Sequence, residues 1–124
     1  MVSYRNILFC TDFSDHARAA LPFAVDLAKK YGSRLDLLHV YQEAGHIAEF
    51  ELSSDGELGA CEHEMVRGKP HVEIVRYARE KDIDLIVMGS HGLSGLKHVL
   101  FGSTAERVVR ESPCNVFVVK RPAA

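Results

Sequence analysis

Residues 84–110 read DLIVMGSHGLSGLKHVLFGSTAERVVR, and the order of events along this stretch decides the fold. An apolar run from Leu85 to Met88, with Ile83 just upstream across Asp84, ends on Gly89. Gly92 and Gly95 follow, and then Gly102 and Ser103 open an apolar-periodic segment that carries Ala105, Val108 and Val109 on one face. A strand, a glycine-rich loop and a helix in this order build anion sites in α/β proteins. Glycine lets backbone N–H groups come close to a ligand, and a helix N-terminus adds unpaired donors with a partial positive charge.

Working outward, the rest of the chain alternates strand and helix. Arg5 to Cys10 (RNILFC) is a short apolar run of the kind that forms a buried parallel strand. Ser14 is a good N-cap, with Asp15 in the first turn, and Ala17, Ala20, Leu21, Ala24, Leu27 and Ala28 recur at helical spacing. This predicts one amphipathic helix over Ser14–Tyr31, running through Pro22 and ended by Gly32. Arg34 to Tyr41 is the second strand, with His39 packed in the sheet. Glu57 to Val66 reads as a third strand at a sheet edge, because Glu62, His63 and Glu64 dilute it. Those three residues read as solvated edge positions rather than metal ligands. Pro70 opens a helix through Lys81, Ile83 to Met88 is the fourth strand, and Ser103–Glu111 is a helix in which Ser103 and Glu106 have capping-box spacing. Asn115 to Lys120 is the fifth strand. The alternation predicts an α/β fold: a five-stranded parallel sheet with helices on both faces and right-handed crossovers. Ligands in such sheets bind beyond the carboxyl ends of the strands, where strand order reverses.

Composition narrows the function. The chain of 124 residues is read as one domain, 47% hydrophobic and 26% charged, with a formal net charge of −2. No basic run is present, which argues against nucleic acid as a partner, since phosphate-backbone binding needs clustered Lys and Arg. No apolar run is long enough to span a membrane, and the beginning of the chain lacks a signal-peptide layout, so a cytoplasmic location is expected. Cys10, Cys61 and Cys114 lack metal-ligand spacing and read as reduced core thiols.

The spacing Gly89-x2-Gly92-x9-Gly102-Ser103 is neither a Walker P-loop nor G-x-G-x-x-G. It resembles the nucleotide-binding signature G-x2-G-x9-G-[ST] of the ATP-binding branch of the universal stress protein family. The opening RNILFCTDFSDHARAAL is similar to that family's first strand and helix, and SPCNVFVVK to its last strand. The resemblance implies a Rossmann-like, doubly wound sheet of five parallel strands in the order 3-2-1-4-5, and roles for particular residues. Asp12, with the backbone of Cys10 and Thr11, would face adenine or ribose, and Val40 would meet the base edge. Met88, Gly89 and Gly92 would line ribose and phosphates, and Gly102, Ser103 and Thr104 would hold the phosphates. Lys97 and His98 rank below the glycines as anion contacts, the alternative for Asp12 is a plain turn or helix cap, and Gly95 can be a turn glycine only.

The resemblance further implies ATP as ligand, with Mg2+ or Mn2+ held through its phosphates rather than in a protein cage, and a homodimer formed through Asn115 to Lys120. No general base stands beside the phosphate loop in sequence, and no arginine finger lies within it, so at most slow hydrolysis is expected. The implied role is that of a stress-response sensor or regulator acting on a protein client. The rival reading is a nucleotide-free dimeric interaction module of the same fold. An adenylylating enzyme of the wider adenine-nucleotide α-hydrolase-like group is a weaker third, because CTDFSD after the first strand lacks that group's glycines. The middle of the chain departs from the family. Gln42 to Gly56 is short for a full crossover helix with its loops, so a shortened helix and an exposed apolar patch beside strands two and three are expected.

Overall fold

The structure is a computed structural model and describes residues 2–12, 14–42, 61–90 and 102–120. Among these residues eight elements follow one another: β1 (Asn6–Thr11), α1 (Asp15–Tyr31), β2 (Arg34–Tyr41), β3 (Cys61–Arg67), α2 (Pro70–Glu80), β4 (Leu85–Gly89), α3 (Ser103–Glu111) and β5 (Asn115–Val119). The strands form one sheet in the order β3-β2-β1-β4-β5, the order the family resemblance implies, and every pairing is parallel, as the alternation predicts.

The central strands are apolar on both sides because both faces are covered. Ile7, Phe9, Leu35, Leu37, Leu85 and Val87 point to one face, where α1 packs through Ala20, Ala24 and Ala28. Those alanines recur every four residues, and their small side chains bring the helix close to the sheet. Leu8, Cys10, Leu38, Val40, Ile86 and Met88 point to the other face, against Ile74, Tyr77 and Ala78 of α2 and Ala105 and Val108 of α3. β3 is an edge strand, and Glu62, His63 and Glu64 are exposed along it, as its polar sequence requires.

The caps of α1 follow local chemistry. Ser14 accepts the Ala17 N–H at its Oγ, 3.2 Å away. At the other end Gly32 adopts φ 64°, a left-handed conformation open to glycine, and its N–H reaches the Ala28 carbonyl. The helix runs through Pro22 without a break.

Several boundaries differ from the sequence expectation. β4 starts at Leu85, not Ile83. The Ile83 N–H is taken by Ala78 O at the end of α2, and Asp82 turns the chain with φ 52°. Asp84 then accepts the N–H groups of Arg5 and Asn6 at 2.8 and 3.2 Å, so its side chain stitches β1 to the entry of β4. β1 is shifted one residue later, β3 extends to Arg67, and β5 ends at Val119. The capping box of α3 is not formed. Its N-cap is Gly102, one residue earlier than Ser103, with no side-chain cap, and Glu106 pairs instead with Arg110 at 2.8 Å. The Gly102 N–H donates to Ser90 O, which fixes the entry of the chain into α3 and moves Ser103 into the first turn. Beyond Gln42, the shortened crossover lies outside the described residues. Of the apolar patch expected beside β2 and β3, Met65 is exposed.

Candidate functional site

The chain leaves β1 for β2 on one side and later enters β4 on the other, so strand order reverses at the β1/β4 boundary. A cleft of about 70 Å³ opens at the carboxyl ends of these strands. That exceeds the voids of a close-packed interior, few of which are larger than a water molecule. Cys10, Thr11 and Asp12 line it from the end of β1, Val40 and Leu38 from β2, and Met88 and Gly89 from β4. Thr104 and Ala105 close it from the first turn of α3, Pro70 and Ile74 from α2, and Ala17 from α1.

Seven of the ten sequence-predicted residues therefore meet in one cleft: Cys10, Thr11, Asp12, Val40, Met88, Gly89 and Thr104. Gly102 and Ser103 sit immediately before Thr104, at the start of α3 but not on the cleft wall. Gly92 lies outside the described residues, as do Gly95, Lys97 and His98. Sequence reading missed Pro70, Ile74, Leu38, Ala17 and Ala105. Their placement depends on how α1, α2 and α3 dock, although Pro70 at a helix start directly after an edge strand was a usable signal, because that turn must sit at the carboxyl end of the sheet.

The cleft has a chemical polarity. Leu38, Val40, Ile74, Pro70 and Met88 make an apolar wall suited to a flat ring. Thr11, Asp12 and Thr104 supply the polar groups. At the α3 end the first-turn N–H groups carry the helix's partial positive charge, with no side-chain cap from Gly102 to satisfy them. Asp12 is partly a structural residue, because its Oδ1 accepts the Ser14 N–H at 2.9 Å in an Asx turn that leads into α1. Among the described residues, Asp12 is the carboxylate on the cleft wall.

Gly89 has a constraint of its own. A Cβ there would stand 2.6 Å from the His16 carbonyl oxygen and 3.1 Å from the Ala17 nitrogen. The glycine lets β4 end against the backbone of α1, a packing requirement independent of any ligand. The Cys10 thiol is pushed well above its ordinary range by burial first and then by the neighbouring Cys114, so it remains protonated and is a wall rather than a nucleophile. His39 is buried in β2, its ring 6.0 Å from that of Tyr41; burial lowers its pKa, with Asp12 acting in the opposite direction. No group of metal-ligating side chains is clustered among the described residues.

Fold and cleft together define a Rossmann-like α/β protein with an open cleft at its switch point. The comparisons with known proteins agree. The family model described as Universal stress protein family matches residues 3–57 and 42–120. The chain is 34% identical to universal stress protein MJ0531 of Methanocaldococcus jannaschii, over 96% of this chain and 84% of that protein. Among solved structures, universal stress protein UspA from Lactobacillus plantarum is 28% identical, with a TM-score of 0.81 over 96% of this chain and 99% of its own. A universal stress protein crystallised in complex with cAMP is 25% identical, with a TM-score of 0.74 over 95% of this chain and 98% of its own. The chain belongs to the universal stress protein family.

Proposed function

We propose that this protein is a single-domain ATP-binding sensor or regulator of the stress response, acting in the cytoplasm. The observation that carries this reading is that Cys10 to Asp12, Val40, Met88, Gly89 and Thr104, far apart in sequence, line one cleft beside a helix start with no side-chain cap. The adenine ring is assigned to the apolar wall near Val40, and the ribose to the neighbourhood of Asp12. The triphosphate is assigned to the N-terminus of α3, held by Gly102, Ser103 and Thr104 with Gly89 and Gly92. The N–H groups of a helix start suit an anion without any lysine. A divalent ion, Mg2+ or Mn2+, would ride on the phosphates, since no protein cage of carboxylates is present among the described residues. The cAMP complex of a relative supports the adenine assignment. With Asp12 at the ribose end and already engaged in a turn, hydrolysis is at most slow.

The same reading takes the active form to be a homodimer joined through the last strand. β5 is an edge strand, and exposed Phe117 on it lies beside exposed Phe23 of α1, with ring centroids 5.8 Å apart. An apolar edge of this kind calls for a cover.

Two measurements test the ligand. Nucleotide extracted by heat from purified protein is separated on a column, and the stripped protein is titrated calorimetrically with ATP, with and without magnesium. Bound adenine nucleotide and a saturable heat are expected. No nucleotide and no heat at millimolar ATP would favour the interaction module instead. Gly102→Val should abolish binding while the protein stays folded; unchanged affinity removes Gly102 from the site.

A further inference from the structure

The cleft has one wall that the glycine loop does not build, and a buried polar pair lies behind it. Asp36 is only 2% exposed, in the first half of β2. Burying a carboxylate is costly unless its oxygens find donors. Both do: Oδ1 accepts from Arg34 Nε at 2.9 Å, and Oδ2 accepts from the Tyr77 hydroxyl at 2.8 Å. Arg34 is itself held by Glu62 at 2.7 Å, so the acceptor is fixed from the sheet side. Burial, followed by the Asp36 contact, pushes the Tyr77 phenol up, so it stays a proton donor.

Tyr77 belongs to α2, and the same helix supplies Pro70 and Ile74 to the cleft. Ile74 precedes Tyr77 by three residues and Pro70 by seven, spacings that place all three on one helix face. That face meets Leu38, Val40 and Cys10, an aliphatic surface with no directional preference of its own. Apolar contacts reward burial without fixing direction, and His71 ties α2 to α3, through Arg107 at 3.2 Å and Glu111 at 3.4 Å, rather than to β2. The Tyr77–Asp36 bond has direction and length, and it ties α2 to β2 below the cleft.

We propose that Asp36 and Tyr77 are positioning residues: through α2 they set how far Ile74 and Pro70 stand over Leu38 and Val40, and so determine how tightly the cleft grips a purine ring. Neither residue touches the ligand. The proposal rests on the nucleotide reading of the cleft, and it assigns base recognition to the α2 wall separately from phosphate holding at α3.

The test separates the two ends of the ligand. Tyr77→Phe keeps the ring and removes the hydroxyl. Calorimetry with adenosine, guanosine and inorganic tripolyphosphate is run on wild type and variant, with thermal unfolding in parallel. The expected result is a roughly tenfold loss of adenosine affinity, the order of one hydrogen bond, with a reduced adenine-over-guanine preference. Tripolyphosphate affinity is unchanged. Asp36→Asn, which can turn its amide oxygen to Arg34 and donate its NH2 to the Tyr77 oxygen, keeps β2 linked to α2 and should retain most of the adenosine affinity. A bond that only stabilises the fold would lower the unfolding temperature and leave the adenosine-to-tripolyphosphate ratio alone; that outcome overturns the proposal. Ile74→Ala alters the wall directly, so the proposal remains testable should Tyr77→Phe fail to fold: unchanged adenosine affinity in Ile74→Ala overturns it. Failure of wild type to bind adenosine or ATP would instead overturn the nucleotide reading, and the proposal with it.

Discussion

The two ends of the sheet are built on opposite plans. At the amino ends of the strands, polar groups are matched by the protein itself. Asp84 accepts two backbone N–H groups of β1, the Asn6 amide reaches Asp82 O, Ser33 reaches Tyr4 O, and Asp36 is bracketed by Arg34 and Tyr77. At the carboxyl ends a cleft opens, and α3 begins with no side-chain cap. Donors left at a helix start are a cost to the free protein and an asset to one that binds an anion. The closed end holds the fold together, which leaves the open end available for a ligand.

Substitutions at the two ends should therefore differ in kind. The largest expected loss of stability is for Asp36→Ala, which leaves the buried Tyr77 hydroxyl without its acceptor and Arg34 without one of its two partners. The cost should be about 3 kcal/mol, read by urea unfolding. A loss below about 1 kcal/mol would mean that the amino end is not held as described. Gly89→Ala sharpens the comparison, because it places a packing constraint at the open end. Its Cβ would press on the backbone of His16, at a cost of about 2 kcal/mol with or without nucleotide. If the loss appears only in ligand affinity, the packing constraint at Gly89 is refuted and its role is binding alone. Ser14→Ala removes the α1 cap and should cost about 1 kcal/mol.

The smallest effect is one of pH. Burial lowers the pKa of His39 in the folded protein, so between that value and the ordinary value of about 6.5 the unfolded chain binds more protons. Stability is then complete above pH 6.5 and falls as the pH drops toward and through the folded pKa. His39→Gln should lose less stability than wild type between pH 7 and pH 5.5, whatever its absolute stability. An equal loss in both would remove His39 from the acid response.

What could be read from sequence follows the range of the interactions. Ser14 and Gly32 act on residues three or four positions away, and the local pattern identified both caps of α1 correctly. The parallel sheet covered on both faces followed from the alternation of apolar runs and helical patterns, whereas the strand order followed from the family resemblance. Ser103 was misread for a physical reason. The S-x-x-E pattern is local, but the start of α3 is set by the Gly102 N–H donating to Ser90 O, a contact across the loop. Asp36 and Tyr77 are 41 positions apart, and nothing local joins them. A single carboxylate inside the apolar run RLDLLHVY was the available sign that a buried donor must exist elsewhere. The α2 wall of the cleft stayed hidden likewise, since Pro70 and Ile74 reach the site only through helix docking.

The contrast between the closed and open ends is tested most directly by amide chemical shifts of the full chain as ATP is added. Shifts should concentrate at Cys10, Thr11, Asp12, Val40, Gly89 and the start of α3 from Gly102 to Ala105, with Arg5, Asn6, Arg34 and Asn115 unmoved. An absence of shifts at millimolar ATP, or shifts gathered at the amino ends of the strands, would contradict the account.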